Sequence, residues 1–167
     1  LSERKTFAAS FVFDKALKTA QTVYIFVSYI HTSTTAIWIL QSFLFQISSN
    51  EPPVQLLLTE VNQRDLKSNT KAVAGLLKTA ISAVGLVFAI VDSVDELDEC
   101  ESTHLLCILL DIPKESSDMK LCFSSRVEGD IERIIGPQAE IIRVDKKNSG
   151  SIQAYVNHRI KQLIDKH

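Results

Sequence analysis

Three carboxylates close behind an apolar run are the side chains of this sequence best suited to chemistry. Asp92, Asp95 and Glu96 end the segment LVFAIVDSVDEL, Leu86–Leu97. A carboxylate at the end of a buried strand can hold Mg²⁺ directly or through water, and a second can orient an attacking water. The plain alternative is a buried strand followed by a solvated acidic turn of Asp92, Asp95, Glu96, Asp98, Glu99 and Glu101, and the spacing allows both. Ser124, Ser125 and Arg126 follow a second apolar run, where two hydroxyls and a guanidinium could contact phosphate. Their alternative is a hydroxyl-capped turn with a surface arginine. Lys5-Thr6 precedes a helical pattern from Phe7 to Lys18, as in the tail of a phosphate-binding loop GxxxxGK[ST], but Arg4 stands where that pattern has glycine.

Other reactive side chains point to no site. His31 lies in a Thr/Ser loop and reads as a cap or a solvated residue. His104, His158 and His167 have no neighbours in a triad or metal spacing. The three cysteines, Cys100, Cys107 and Cys122, form no CxxC pair and no zinc pattern. Cys107 and Cys122 sit in apolar runs and read as small buried hydrophobes. This usage suits a reducing, cytoplasmic compartment.

The elements that must position these residues alternate along the chain. Val23–Tyr29, Leu86–Val91, Lys120–Ser124 and Glu140–Val144 read as strands. Ala36–Ile47 is apolar on most sides and is expected to be a deeply buried helix. Val73, Leu76, Leu77, Ala80, Ile81 and Val84 have amphipathic helical spacing, as do Ile152, Tyr155, Val156, Ile160, Leu163 and Ile164. Thr103–Asp111 predicts a shorter helix with Asp98 and Glu101 as a capping box, and Gly129–Ile135 one stopped by Gly136-Pro137. Pro52 and Pro53 open a helical piece, Val54–Val61, and Asn62–Asn69 reads as a polar connector. Strands alternating with helices predict parallel crossovers and a three-layer α/β domain.

The 167 residues fit one domain spanning 1–167 with a sizeable core. A net charge of −2 gives no electrostatic case for nucleic acid or an anionic membrane. The richest apolar stretch, Val23–Ile47, is interrupted by Ser28, His31, Thr32, Ser33, Thr34, Thr35 and Gln41. It therefore falls short of the roughly 18–20 apolar residues of a spanning helix. No signal-peptide pattern opens the chain, and a start at Leu1 rather than Met suggests a piece of a longer protein.

The order of these segments resembles a known family. Lys5-Thr6 and its helix, VYIFVSY, the Thr/Ser loop, IVDSVDELDE, LCFSSRVEGDIERIIG and IIRVDKKNSGSIQAYVNHRI are similar to the fungal NACHT-type domains of the STAND class of P-loop NTPases. The nearest group is the nephrocystin-3-like N-terminal domains. The resemblance implies a three-layer P-loop NTPase-like fold, a mostly parallel sheet flanked by helices, with the N-terminal P-loop strand missing. It implies that Asp92 is the Walker B residue for Mg²⁺, that Glu96 orients water and that Asp95 is an extra acidic residue. Arg126 then lies near the γ-phosphate beside Ser125, and Lys5 and Thr6 are the P-loop lysine and the Mg²⁺-binding hydroxyl. The implied ligand is ATP or GTP with Mg²⁺. The implied partners are effector and repeat domains of a longer parent chain and further copies in a homo-oligomer, in signalling or non-self recognition such as heterokaryon incompatibility. Two residues depart from the family pattern, Ser93 and Arg4, each where glycine is usual. A domain that has lost nucleotide binding and serves as a protein-interaction module is a second reading, and an unrelated doubly wound domain whose acidic cluster binds metal for phosphoryl chemistry is a third.

Overall fold

Runs of β-branched and aromatic residues become strands, and the strands align as one parallel sheet. The computed structural model describes residues 9, 10, 12–14, 16–30, 33–115, 118–126 and 129–141. Among these, β1 (Gln21–Phe26), β2 (Val87–Asp92) and β3 (Met119–Phe123) pair in the order β1-β2-β3. Both pairings are parallel, with Val23 opposite Ala89 and Ala89 opposite Leu121. The expected extension of β1 to Tyr29 does not occur. The ladder closes with the Val27 N–H on the Asp92 carbonyl at 3.1 Å, and the chain then turns. At the end of the described residues, Glu140 and Ile141 belong to no strand. The rest of the expected strand Glu140–Val144 and the expected helix over 152–164 lie outside the described residues.

Besides the helical residues 9, 10, 12–14 and 16, six helices among the described residues follow from caps and apolar stripes. They are α1 (Ala36–Ser48), α2 (Pro52–Thr59), α3 (Gln63–Ser68), α4 (Thr70–Val84), α5 (Glu99–Glu115) and α6 (Gly129–Ile135). Thr35 caps α1 by accepting from the Trp38 N–H, and Pro52-Pro53 opens α2, where a missing N–H costs nothing. Gly85 closes α4 at φ 87°, backbone that a side chain would strain. Gly136-Pro137 follows α6 as expected.

Four expectations need correction. Asn62–Asn69 is not a plain connector, because it holds α3; that helix buries no residue, so it has no hydrophobic period to read. Its Asn62 accepts from the Arg64 N–H, and Asn69 then caps α4 by accepting from Ala72. Helix α1 is not buried all round. Ile39, Leu40, Phe43 and Ile47 reach the core, while Trp38 stays 49% and Phe45 71% exposed. Helix α5 starts earlier and ends later than Thr103–Asp111, and Glu101 caps a different helix from the expected one. Cys107 is exposed rather than buried, since the apolar run around it turns only one face inward.

The core lies mainly on one face of the sheet. Val23, Val87, Ala89, Val91 and Met119 meet α1, α4 and α5 there through Phe43, Leu77 and Leu106. Strand alternation sends Ile90 to the opposite face, where the helical residues Ala9 and Ala16 pack on it with Phe13, Phe88 and Cys122 beside them. The result is an α/β domain with a three-stranded parallel sheet flanked by helices, compatible with a P-loop-like fold. No helix among the described residues is long and apolar enough to cross a membrane.

Candidate functional site

Asp92 ends the central strand, in phase with Phe88 and Ile90, and so lies on the face opposite the main core. It is 1% exposed. A carboxylate so placed needs polar partners, and β3 supplies one. Ser124 follows Phe123 directly, and its N–H extends the ladder by donating to the Val91 carbonyl at 3.0 Å. Its side chain therefore shares the face of Asp92, and its hydroxyl donates to Asp92 Oδ1. The same Ser124 Oγ accepts from the Ser93 N–H at 3.0 Å, and the Ser124 carbonyl accepts from the Val94 N–H at 3.0 Å. One serine thus fixes both the carboxylate and the turn after it.

That turn is unusual at Ser93, which adopts φ 61° and ψ 50°, the left-handed region that favours glycine. The turn sends the chain into a single 3₁₀ turn, Val94–Glu96, which presents Asp95 and Glu96 to opposite neighbours. Asp95 points to the loop after β3. Its Oδ1 accepts from the Arg126 N–H at 3.0 Å, and its Oδ2 lies 3.4 Å from Arg126 Nε. The Asp95 side chain is 1% exposed and that of Arg126 61% exposed, so the carboxylate is anchored and the guanidinium faces solvent.

Glu96 points the other way, and its Oε2 accepts from the Tyr29 N–H just beyond β1 at 3.0 Å. Five residues on, Glu101 Oε2 accepts from the Ala36 N–H at 2.6 Å, at the first turn of α1. Negative charge is favourable at that helix start. Together these carboxylates tie the acidic segment to both sides of the β1–α1 loop. Within the segment, Asp98 caps α5 by accepting from Cys100 at 2.9 Å.

The sheet therefore brings Asp92, Asp95 and Arg126 together at the carboxyl ends of β2 and β3, where open α/β sheets bind ligands. Glu96 is close in sequence but committed to the β1 side. The Ser125 hydroxyl donates to the Arg126 carbonyl at 2.8 Å and stiffens its own loop. Lys5 and Thr6, with Arg4 and His31, lie outside the described residues. Ser124, named from sequence as one of two hydroxyls that could contact phosphate, is the one that meets Asp92. Its signal was its phase with Lys120 and Cys122, one residue past the strand. The Cys122 thiol, on that same face, is pushed up in pKa by burial first and by the nearby charge of Asp92 second.

The donor set can be compared with the demands of a divalent cation. No group of three His, Cys, Asp or Glu side chains able to hold a metal ion occurs among the described residues. Mg²⁺ rarely uses such a cage. It keeps several waters and takes one or two carboxylates or hydroxyls together with phosphate oxygens. A buried aspartate beside a serine hydroxyl fits that mode.

No curated protein and no solved structure matches the chain. A family model does, over residues 4–126, from Arg4 through the last residue of the Asp95–Arg126 contact. That match takes in all three strands and most of the helices, and on this basis the chain belongs to the nephrocystin 3, N-terminal family.

Proposed function

We infer that this domain is a nucleotide-binding switch of the NACHT type within the STAND class. It would bind ATP or GTP with Mg²⁺ as part of a larger signalling or non-self-recognition protein. The observation that supports this most is the pairing of a buried Asp92 with Ser124 at the ends of two adjacent parallel strands. Asp92 and the Thr6 hydroxyl are the groups that would hold Mg²⁺, which polarises the phosphoryl oxygens when bound. Lys5 would neutralise the phosphate tail, and Arg126, mostly exposed and held by one guanidinium contact, would turn toward it from the loop of Ser125. Glu96 would orient the attacking water, assisted by Asp95, after giving up the Tyr29 N–H. In this reading residues 1–167 form one NACHT-like domain. Effector and repeat regions of the parent chain and further copies of it are the proposed partners, in the cytoplasm.

A second reading has its own support. Asp95, Glu96 and Arg126 all find partners within the protein, and Arg4 replaces the glycine that lets a backbone approach phosphate. A domain of this kind would persist as a protein-interaction module without nucleotide. Thermal unfolding with and without ATP and Mg²⁺, on the chain and on Lys5→Ala, separates the two. A ligand-dependent rise in Tm that Lys5→Ala abolishes supports the switch. A folded chain whose Tm ignores nucleotide supports the module.

A further inference from the structure

Among the described residues the outer edge of β1 is met by the side chain of Gln46. Among the described residues β1 is terminal in the strand order, so one row of its backbone groups faces away from β2. The Val27 N–H points to β2, and strand alternation then turns the N–H and C=O of Thr22, Tyr24 and Phe26 outward. At Tyr24 both outward groups are met by the same amide. The Tyr24 N–H donates to Gln46 Oε1 at 3.0 Å, and Gln46 Nε2 donates to the Tyr24 carbonyl at 2.8 Å. Gln46 Nε2 also donates to Ser42 Oγ at 3.2 Å, one turn back on α1, which supports the amide's orientation. A carboxamide presents acceptor and donor side by side, as a peptide group does. Gln46 therefore stands where a residue of a neighbouring strand would stand.

The strand beneath this amide has the composition of one that pairs with itself. The stretch Gln21–Tyr29, QTVYIFVSY, contains no charge, no proline and no glycine. Six- or seven-residue segments of that kind, with high β-propensity, are the pattern of self-stacking strands. Tyr24 and Phe26 are each more than one-third exposed, with ring centroids 5.5 Å apart edge to face, and they add apolar contact area next to the edge. β1 has none of the usual edge protections, a lysine, a proline or a bulge, and its register with β2 is continuous. Two copies meeting there would face no charge repulsion.

We propose that Gln46 is a guard residue whose amide occupies the β1 edge in place of the β1 strand of a second copy of this chain. Loss of the amide exposes that edge and makes it a strand-addition site. Sedimentation velocity on the full chain and on Gln46→Ala, over a hundredfold concentration range, tests this. Exchange of the Tyr24 amide hydrogen is followed in parallel. Gln46→Ala is expected to exchange at Tyr24 about tenfold faster when dilute and to associate as concentration rises. Adding Phe26→Lys, which puts a charge on the edge strand, is expected to reverse the association. Gln46→Leu keeps the size but removes both polar contacts, and is expected to behave like Gln46→Ala should that variant fail to fold. A folded variant with unchanged Tyr24 exchange and unchanged mass overturns the proposal, as does association that persists with Phe26→Lys.

Discussion

Ser124 donates its hydroxyl to Asp92 Oδ1 while accepting the Ser93 N–H, so one side chain on β3 ties the end of β2 to the turn that follows. Ser124→Ala removes both bonds from a largely buried spot. The loss should cost about 1–3 kcal/mol, the range for leaving buried polar groups unsatisfied. Urea unfolding at neutral pH checks this, and an unchanged midpoint would show that the serine is incidental.

Ser93 carries the strain of that turn. Its φ of 61° is the left-handed region, which costs an ordinary residue roughly 1–2 kcal/mol, while glycine adopts it freely and loses some entropy on folding. Ser93→Gly is therefore expected to stabilise the domain by about 0.5–1 kcal/mol. Chemical denaturation reads this directly, and a destabilised variant would contradict the strain account.

Asp95 and Arg126 form one pair but should not respond alike. Arg126→Ala deletes a guanidinium that is 61% exposed and 3.4 Å from its partner, and such pairs contribute less than about 1 kcal/mol. The bond from the Arg126 backbone N–H survives that change. Asp95→Ala removes both contacts, including a hydrogen bond to a charged group, the kind worth about 1.5–3 kcal/mol. Equal losses in paired unfolding curves would show that the guanidinium, not the carboxylate, organises the loop.

The cysteines should separate by reactivity. Cys100 and Cys107 are exposed, and Cys122 is partly buried with its pKa raised by burial and then by Asp92. A maleimide titration of the native chain at neutral pH should label the first two quickly and Cys122 last. Because the folded thiol titrates above the unfolded one, the unfolded state gives up its proton first as pH rises. The stability Cys122 contributes is whole below the ordinary thiol range and is lost as pH climbs through its raised folded value. Cys122→Ser should flatten that alkaline fall in midpoint, and a slope identical in both proteins would contradict it.

What could be read from sequence was whatever leaves a period or an abrupt end. The continuous apolar run before Asp92 announced β2, the i, i+3, i+4 pattern announced α4, and Gly136-Pro137 marked the stop of α6. Helix α3 was silent because none of its residues is fully buried and its start rests on the Asn62 cap. Glu101 was legible as a cap but not of which helix, because its partner Ala36 is 65 residues away in sequence. The same holds for Glu96 with Tyr29 and for Gln46 with Tyr24, where side chains meet backbone from another element. The acidic cluster itself was plain, but its division between β3 and β1 depends on the left-handed turn at Ser93, which a serine does not advertise.

The most direct test of the nucleotide reading is a fluorescent-ATP titration of the 167-residue chain with and without Mg²⁺, beside Asp92→Asn. The account predicts saturable, Mg²⁺-dependent binding that Asp92→Asn weakens at least tenfold while the fold is retained. Binding that Asp92→Asn leaves unchanged would contradict the assignment of Asp92, and a folded wild-type chain that binds no nucleotide would contradict the switch reading itself.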